Sequence, residues 1–240
     1  MIDEIQLIRD GWLSEIFKYD VFKLSINQPS NVKELSQHFR DELRKNPVFI
    51  YAKIPVGDIA CMHLLENEGF HLIDTNIAFE QHIEKNEAMS DNMTVRFARV
   101  EDEGQVRRIA GNSIKFSRFH LDPKIANEMA NTLKEEWAGN YFHGQRGNEM
   151  IVSERDGHIA GFLQLLFSGD ILVIDLIAVS EEFRRKKIAS NMIAYAEAKI
   201  EGFNRIRVGT QIANIPSLLF YERLGFRILN TSYILHYHNK

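Results

Sequence analysis

A single cysteine, Cys61, stands in the 240 residues. An internal disulfide is therefore excluded, and a reducing, cytoplasmic setting is the expectation. No run approaches the ~18 uninterrupted apolar residues that a membrane-spanning helix needs. The opening residues, MIDEIQLIRDGWLSEIF, are acidic and broken by charge, unlike a secretory leader. The net charge of −4 shows no excess of cations, so neither nucleic acid nor an anionic membrane is expected as a partner. The H-E-x-x-H spacing is absent, and the nine histidines form no ligand cluster. His236 and His238 lie close together near the end and are expected to be solvated; no metal is expected. What is present is an apolar fraction of 45%, enough to build the core of one large or two small domains.

The chain is organised around residues 171–200. ILVIDLIAV is apolar and rich in branched side chains, as a strand buried on both faces would be. SEEF interrupts it. From Lys187 onward Ala189, Ile193, Ala196 and Ile200 recur at steps of four, three and four, with Met192 beside them, which describes an amphipathic helix. Arg184, Arg185, Lys186 and Lys187 crowd the start of that helix, where the backbone already carries partial positive charge. Each cation there is unfavourable by about 0.3–1 kcal/mol at low salt. An anion docked on the free N–H groups would reverse the sign; the plainer alternative is a solvated turn neutralised by Glu181 and Glu182.

Before this stretch, 48–54 reads as a strand. Asp58 is placed to cap a helix that Gly69 ends, and 71–81 reads as a second strand. Residues 83–93 are polar and aperiodic, a linker that divides the chain into 1–88 and 94–240. Beyond it, 94–100 predicts a strand and 101–110 a helix. A loop follows to Asp122-Pro123, then a helix over 124–137. A hairpin turns at Asp156-Gly157. After the organising segment come a strand at 205–211, a helix over 214–224 capped by Asn214 and closed by Gly225, and a last strand at 227–236. ENEGFHLIDTNIAF (66–79) also echoes ERLGFRILNTSYIL (222–235) at constant offset. Asp58 then falls opposite Asn214, and Leu65 opposite Tyr221, so 1–88 reads as a shortened, degenerate copy of the C-terminal unit.

From residue 94 on, this order of elements resembles the GNAT acyltransferase superfamily. LIAVSEEFRRKKIA (176–189) and VGTQIANIPSLLFYERLGF (208–226) carry the likeness. SRFHLDP (117–123), Trp137 and the partial N-terminal domain resemble the dTDP-fucosamine acetyltransferase type. The resemblance implies an α/β (α+β) GNAT fold, a mixed central sheet flanked by helices with a smaller GNAT-like N-terminal domain. It implies a homodimer that uses acetyl-CoA or another short acyl-CoA as co-substrate and acylates a nucleotide-linked amino-deoxy sugar for cell-surface polysaccharide. A protein amine or a polyamine as acceptor, or a non-catalytic acyl-CoA sensor, are the alternatives.

By the same resemblance, backbone groups of Ile177, Ala178 and Val179 hold pantetheine and thioester. Arg184, Arg185, Lys186, Lys187, Ile188 and Ala189 grip the pyrophosphate. Asn214 and Arg223 add CoA contacts, and Tyr221 protonates the departing thiolate. Ser117, Arg118, His120 and Trp137 face the acceptor, and His120 or Asp175 serves as base. One departure stands out. The family's loop usually reads Arg/Gln-x-x-Gly-x-Gly/Ala, and here Lys187 stands at the central glycine and Arg185 where another glycine is common.

Overall fold

The computed structural model describes residues 5–26, 47–83 and 94–239. The expected linker therefore lies, apart from Ile83, outside the described residues. The strands are β1 (Ile5–Arg9), β2 (Asp20–Ile26), β3 (Val48–Pro55), β4 (His71–His82), β5 (Thr94–Phe97), β6 (Glu149–Arg155), β7 (His158–Ser168), β8 (Ile171–Val179), β9 (Arg205–Gln211) and β10 (Arg227–Asn239). The helices are α1 (Gly11–Phe17), α2 (Ile59–Asn67), α3 (Glu103–Ser113), α4 (Arg118–Leu121), α5 (Asn127–Phe142), α6 (Ile188–Lys199) and α7 (Ile215–Arg223). This is the expected mixed sheet flanked by helices.

All ten strands join one sheet in the order β1-β2-β3-β10-β4-β9-β8-β7-β6-β5. The two sequence-related segments exchange their last strands. β10 of the C-terminal unit pairs antiparallel with β3, β4 of the N-terminal unit pairs antiparallel with β9, and β4 and β10 pair with each other. The echo in sequence also has matching local geometry. Asp58 accepts from the Cys61 N–H and Asn214 from the Ser217 N–H, each a cap three residues ahead. Gly69 and Gly225 close the two helices at φ +91° and +89°, a left-handed conformation that glycine adopts without Cβ strain. Phe70 N–H bonds to Leu65 O at 2.9 Å and Phe226 N–H to Tyr221 O at 3.0 Å.

Two boundaries differ from expectation. The predicted loop before Pro123 contains a helical turn, α4, because the Ser117 carbonyl accepts from both His120 and Leu121 N–H. α5 begins at Asn127 rather than 124, because Asp122 Oδ1 takes the Lys124 N–H and its carbonyl takes that of Ile125, which makes a separate turn. The hairpin forms as predicted, with Asp156 and Gly157 at φ +50° and +77°, the primed turn that matches strand twist. Leu13, Phe17 and Phe49 of the N-terminal unit share a core with Phe119 and Leu133 of α4 and α5. That core seats the acceptor-side loop.

Candidate active site

β8 and β9 run parallel only from Ile171↔Arg205 to Ile174↔Val208. Beyond that they part. Leu176–Val179 stays paired with β7 and Gly209–Gln211 with β4, so the facing edges of β8 and β9 have no strand partner. Ile177, Ala178 and Val179 all lie in the splayed portion. Their unpaired backbone groups suit an extended, amide-containing ligand, which would complete the ladder. Gly161 on β7 allows the close fit behind them, since a Cβ there would stand 2.8 Å from the Ala178 carbonyl.

The splayed strand leads into the basic knuckle. Arg185 and Lys187 sit at φ +63° and +59°, at the two positions where the likeness places glycine. A left-handed L-residue costs about 1–2 kcal/mol, and strain of this kind gathers at functional turns. Lys187 is the residue before α6, whose first N–H groups are open at its N-terminus. All four cations are exposed. Arg184 reaches the Ser113 carbonyl and Lys186 that of Glu182. Among the described residues no ion pair joins them to Glu181 or Glu182, so the knuckle is not the neutralised turn. A diphosphate fits these exposed cations and open N–H groups. Lys187→Gly should raise stability by up to about 1 kcal/mol while Lys187→Ala, equally strained, should not; urea midpoints of the two variants check this.

Tyr221 lies on α7, 2% exposed, packed against Phe79, Phe220 and Phe226. It shares a cluster with Ile174 and Val208, the last paired residues before the strands part. Burial pushes its phenol pKa well up, so the proton stays on at neutral pH, and the hydroxyl has no hydrogen bond among the described residues. Asn214 caps α7 and also donates to Thr210 Oγ1 at 3.4 Å. Arg223 is exposed at the far end of the same helix.

On the other side of the split, Asp175 is the extra residue of a β-bulge, where the register jumps from Leu165↔Ile174 to Gln164↔Leu176. Its carboxylate is held by side chains, not by backbone. Trp137 Nε1 donates at 2.8 Å, Gln164 Nε2 at 3.2 Å, and Arg146 from both Nε and Nη2 at 2.7 and 2.6 Å. Lys134 Nζ and the Arg146 guanidinium lie 4.2 and 4.7 Å from the Trp137 ring centroid, and Trp12 meets the ring edge-on. Ser117 is buried, with Oγ 2.6 Å from His120 Nδ1, while His120 Nε2 donates to Asn131 Oδ1 at 3.1 Å. Burial lowers the His120 pKa.

Arg118 points toward the N-terminal unit. Its guanidinium lies 3.8 Å from the Tyr51 ring centroid and 3.4 Å from His236 Nε2. His236 and His238 correct the expectation of solvation. Their side chains are 0% and 2% exposed, and both donate to Asp122 Oδ2, at 2.6 and 2.7 Å. β10 lies inside the sheet between β3 and β4, which is why its end is covered. Asp122, expected as a turn residue, is thus also the acceptor for a buried pair. The three ligating groups fall within 4.8 Å of one another. Both histidines rest on one carboxylate oxygen and the Arg118 cation lies beside the far nitrogen of His236, while His238 Nδ1 is buried without a hydrogen-bond partner among the described residues.

Sequence reasoning missed Lys134, Arg146, Tyr51 and the histidine pair. Lys134 left a signal: it sits on the apolar stripe of α5, between Ala130 and Ala138 at steps of four. The others are joined by pairings across 29 or more residues, for which local pattern holds no cue.

The acetyltransferase (GNAT) family matches residues 116–226. The chain carries a GNAT acetyltransferase domain. It is 24% identical over 232 residues to the spore coat polysaccharide biosynthesis protein SpsD of Bacillus subtilis, covering 94% of this chain and 80% of that one. Among solved structures, a conserved protein of unknown function from Staphylococcus epidermidis aligns with TM-score 0.73 at 12% identity, covering 100% of this chain and 93% of the other. A GCN5-related N-acetyltransferase from Sphaerobacter thermophilus aligns with TM-score 0.63 at 12% identity, over 91% and 72%. The match over residues 116–226, with these relatives, indicates an acyl-CoA-dependent N-acyltransferase. No helix among its described residues is long and apolar enough to cross a membrane.

Proposed function

We propose that this GNAT enzyme moves an acetyl or other short acyl group from acyl-CoA to the amino group of a nucleotide-linked, dTDP-type amino-deoxy sugar by direct attack. The splay of β8 from β9 above the exposed cations of the knuckle is the observation that carries the donor half. Arg184 to Ala189 would hold the diphosphate, and the open edge at Ile177, Ala178 and Val179 the pantetheine. Backbone donors fixed in place stabilise a forming oxyanion by roughly 3 kcal/mol each. Tyr221 is the proton donor to the thiolate. The thiolate that leaves must be protonated to end as free CoA thiol, and a phenol kept protonated by burial can supply that proton.

The acceptor half rests on charge. Arg118 and Arg146 gather at one side of the split, which favours an anionic acceptor such as a sugar diphosphate and disfavours a polyamine. The SpsD name points the same way, toward polysaccharide. The N-terminal unit, a truncated copy of the catalytic one, closes this side through Tyr51 and the core around Phe119. Thiol release with a panel of amines tests the reading. Release with a dTDP-amino sugar and none with peptides or spermidine supports it; the reverse pattern replaces the acceptor.

Tyr221→Phe should lower turnover about tenfold or more. It should leave the melting temperature unchanged, because the lost hydroxyl bonds nothing among the described residues. Unaltered turnover would remove Tyr221 from the reaction.

A further inference from the structure

We infer that Lys134 is the base that takes the proton from the acceptor amine, an inference that rests on the acyl-transfer reading above. Lys134 is 6% exposed, and its Nζ forms no hydrogen bond or ion pair among the described residues. It lies 4.2 Å from the Trp137 ring centroid, and Trp137 in turn bonds Asp175 at the bulge beside the parting strands. The amine is therefore linked to the bulge residue Asp175 through one ring, with its reactive atom unengaged.

The other two candidates are occupied. Each His120 ring nitrogen has a partner, Ser117 or Asn131. Both Asp175 oxygens accept from Arg146, and Oδ2 also accepts from Trp137 and Gln164. A base must hold a free lone pair toward the substrate, and only Lys134 among these three does. Its surroundings keep that pair free. Burial away from water, then the nearby Arg118 guanidinium, lower its pKa to about 7, with Asp175 opposing and Arg146 assisting. The charged and titratable groups around it are Arg118 and His120 from α4, Arg146 from the loop after α5, and Asp175 from β8. α1 and β3 add Asp10 and Tyr51, hydrogen-bonded to each other beside Arg118.

In the step, the neutral Nζ takes one proton from the acceptor ammonium. The freed nitrogen pair forms the C–N bond to the thioester carbonyl, and the C–S bond breaks. The thiolate takes a proton from Tyr221, the second proton leaving the acylated nitrogen restores the Tyr221 phenol through solvent, and Lys134 returns its own proton to solvent. An acceptor anion docked against Arg118 would offset that cation and raise the proton affinity of Lys134, making it a stronger base once the substrate is seated.

The test is the pH dependence of kcat/KM for the acceptor in the whole enzyme, which reports ionisations of the substrate-free enzyme. Wild type should rise with pH through an ionisation near 7. Lys134→Met should turn over about a hundredfold more slowly and lose that ionisation, with acetyl-CoA affinity by calorimetry unchanged. Lys134→Arg keeps the charge and should lose as much; an arginine variant close to wild type would overturn the inference, since charge alone would then suffice. Should no amine be acylated at all, the acyl-transfer reading fails separately. NMR titration of Lys134 in the 13C-methylated wild-type protein still decides, with a midpoint near 7 supporting a free amine and one near 10 overturning it.

Discussion

Asp122→Ala should destabilise the protein by about 3–5 kcal/mol. One carboxylate oxygen accepts from His236 Nδ1 and His238 Nε2, and the other from the Lys124 N–H. Asp122 is 2% exposed and Phe49 stacks on His238 at 4.5 Å between ring centroids, so water has little room to replace the lost acceptor. Two buried N–H groups are then stranded, each costing about 1–3 kcal/mol. For a chain of this length that lowers the melting temperature by roughly 10 °C. Calorimetry at pH 7.5 measures it. A shift under about 3 °C would mean that the histidines find other partners and that the cluster does not tie α4 to β10. The lock matters for function because Arg118, one residue from Phe119 in the shared core, rests on His236.

Acid should weaken the fold well before its carboxylates titrate. His236 is pushed down to about 4, chiefly by burial and next against the pull of Asp122. The tautomer agrees: Nδ1 donates to Asp122, which leaves Nε2 as the acceptor facing the Arg118 guanidinium. A proton on Nε2 would set two cations face to face. The sign follows from proton counts. Between pH ~6.5 and 4 the unfolded chain binds a proton at this histidine that the folded chain refuses, so stability falls as pH falls through that window. Some 2.5 pKa units correspond to roughly 3 kcal/mol. Asp122 is held well below the ordinary carboxylate range by its two histidines, so its own contribution is lost only below pH ~4. Urea unfolding at pH 7.5, 6 and 4.5 reads the slope, and His236→Asn should flatten it. Stability that rises on acidification through pH 6 would show His236 to be cationic in the fold.

The proposed donor side is legible in the sequence because it is local. A buried strand, a basic turn and a helix follow one another in 171–200, and each is written in apolar period and charge. The cap at Asn214 and the close at Gly225 were equally plain, since a cap acts within three residues. The cations at the helix start are ambiguous in the sequence; the backbone adds that Arg185 and Lys187 are left-handed and that, among the described residues, no ion pair joins the four cations to Glu181 or Glu182. Sequence alone could state that conflict and not resolve it.

The acceptor side was harder, because its residues are neighbours only across the sheet. Asp175 was noticed as an acid on an apolar strand, but its partners come from α5, the loop after it and β7. The histidines looked solvated because they fall four and two residues from the end of the chain. Strand exchange between the two related units puts that end at the centre of the sheet.

By itself the sequence determined the elements, their caps and the donor-side turn, because hydrogen bonds and apolar period act within a few residues. Only the tertiary structure decided which side chains stay free to react. That depends on burial and on partners brought from elsewhere in the chain: Ser117 and Asn131 close off His120, Arg146 closes off Asp175, and the amine of Lys134 is left open.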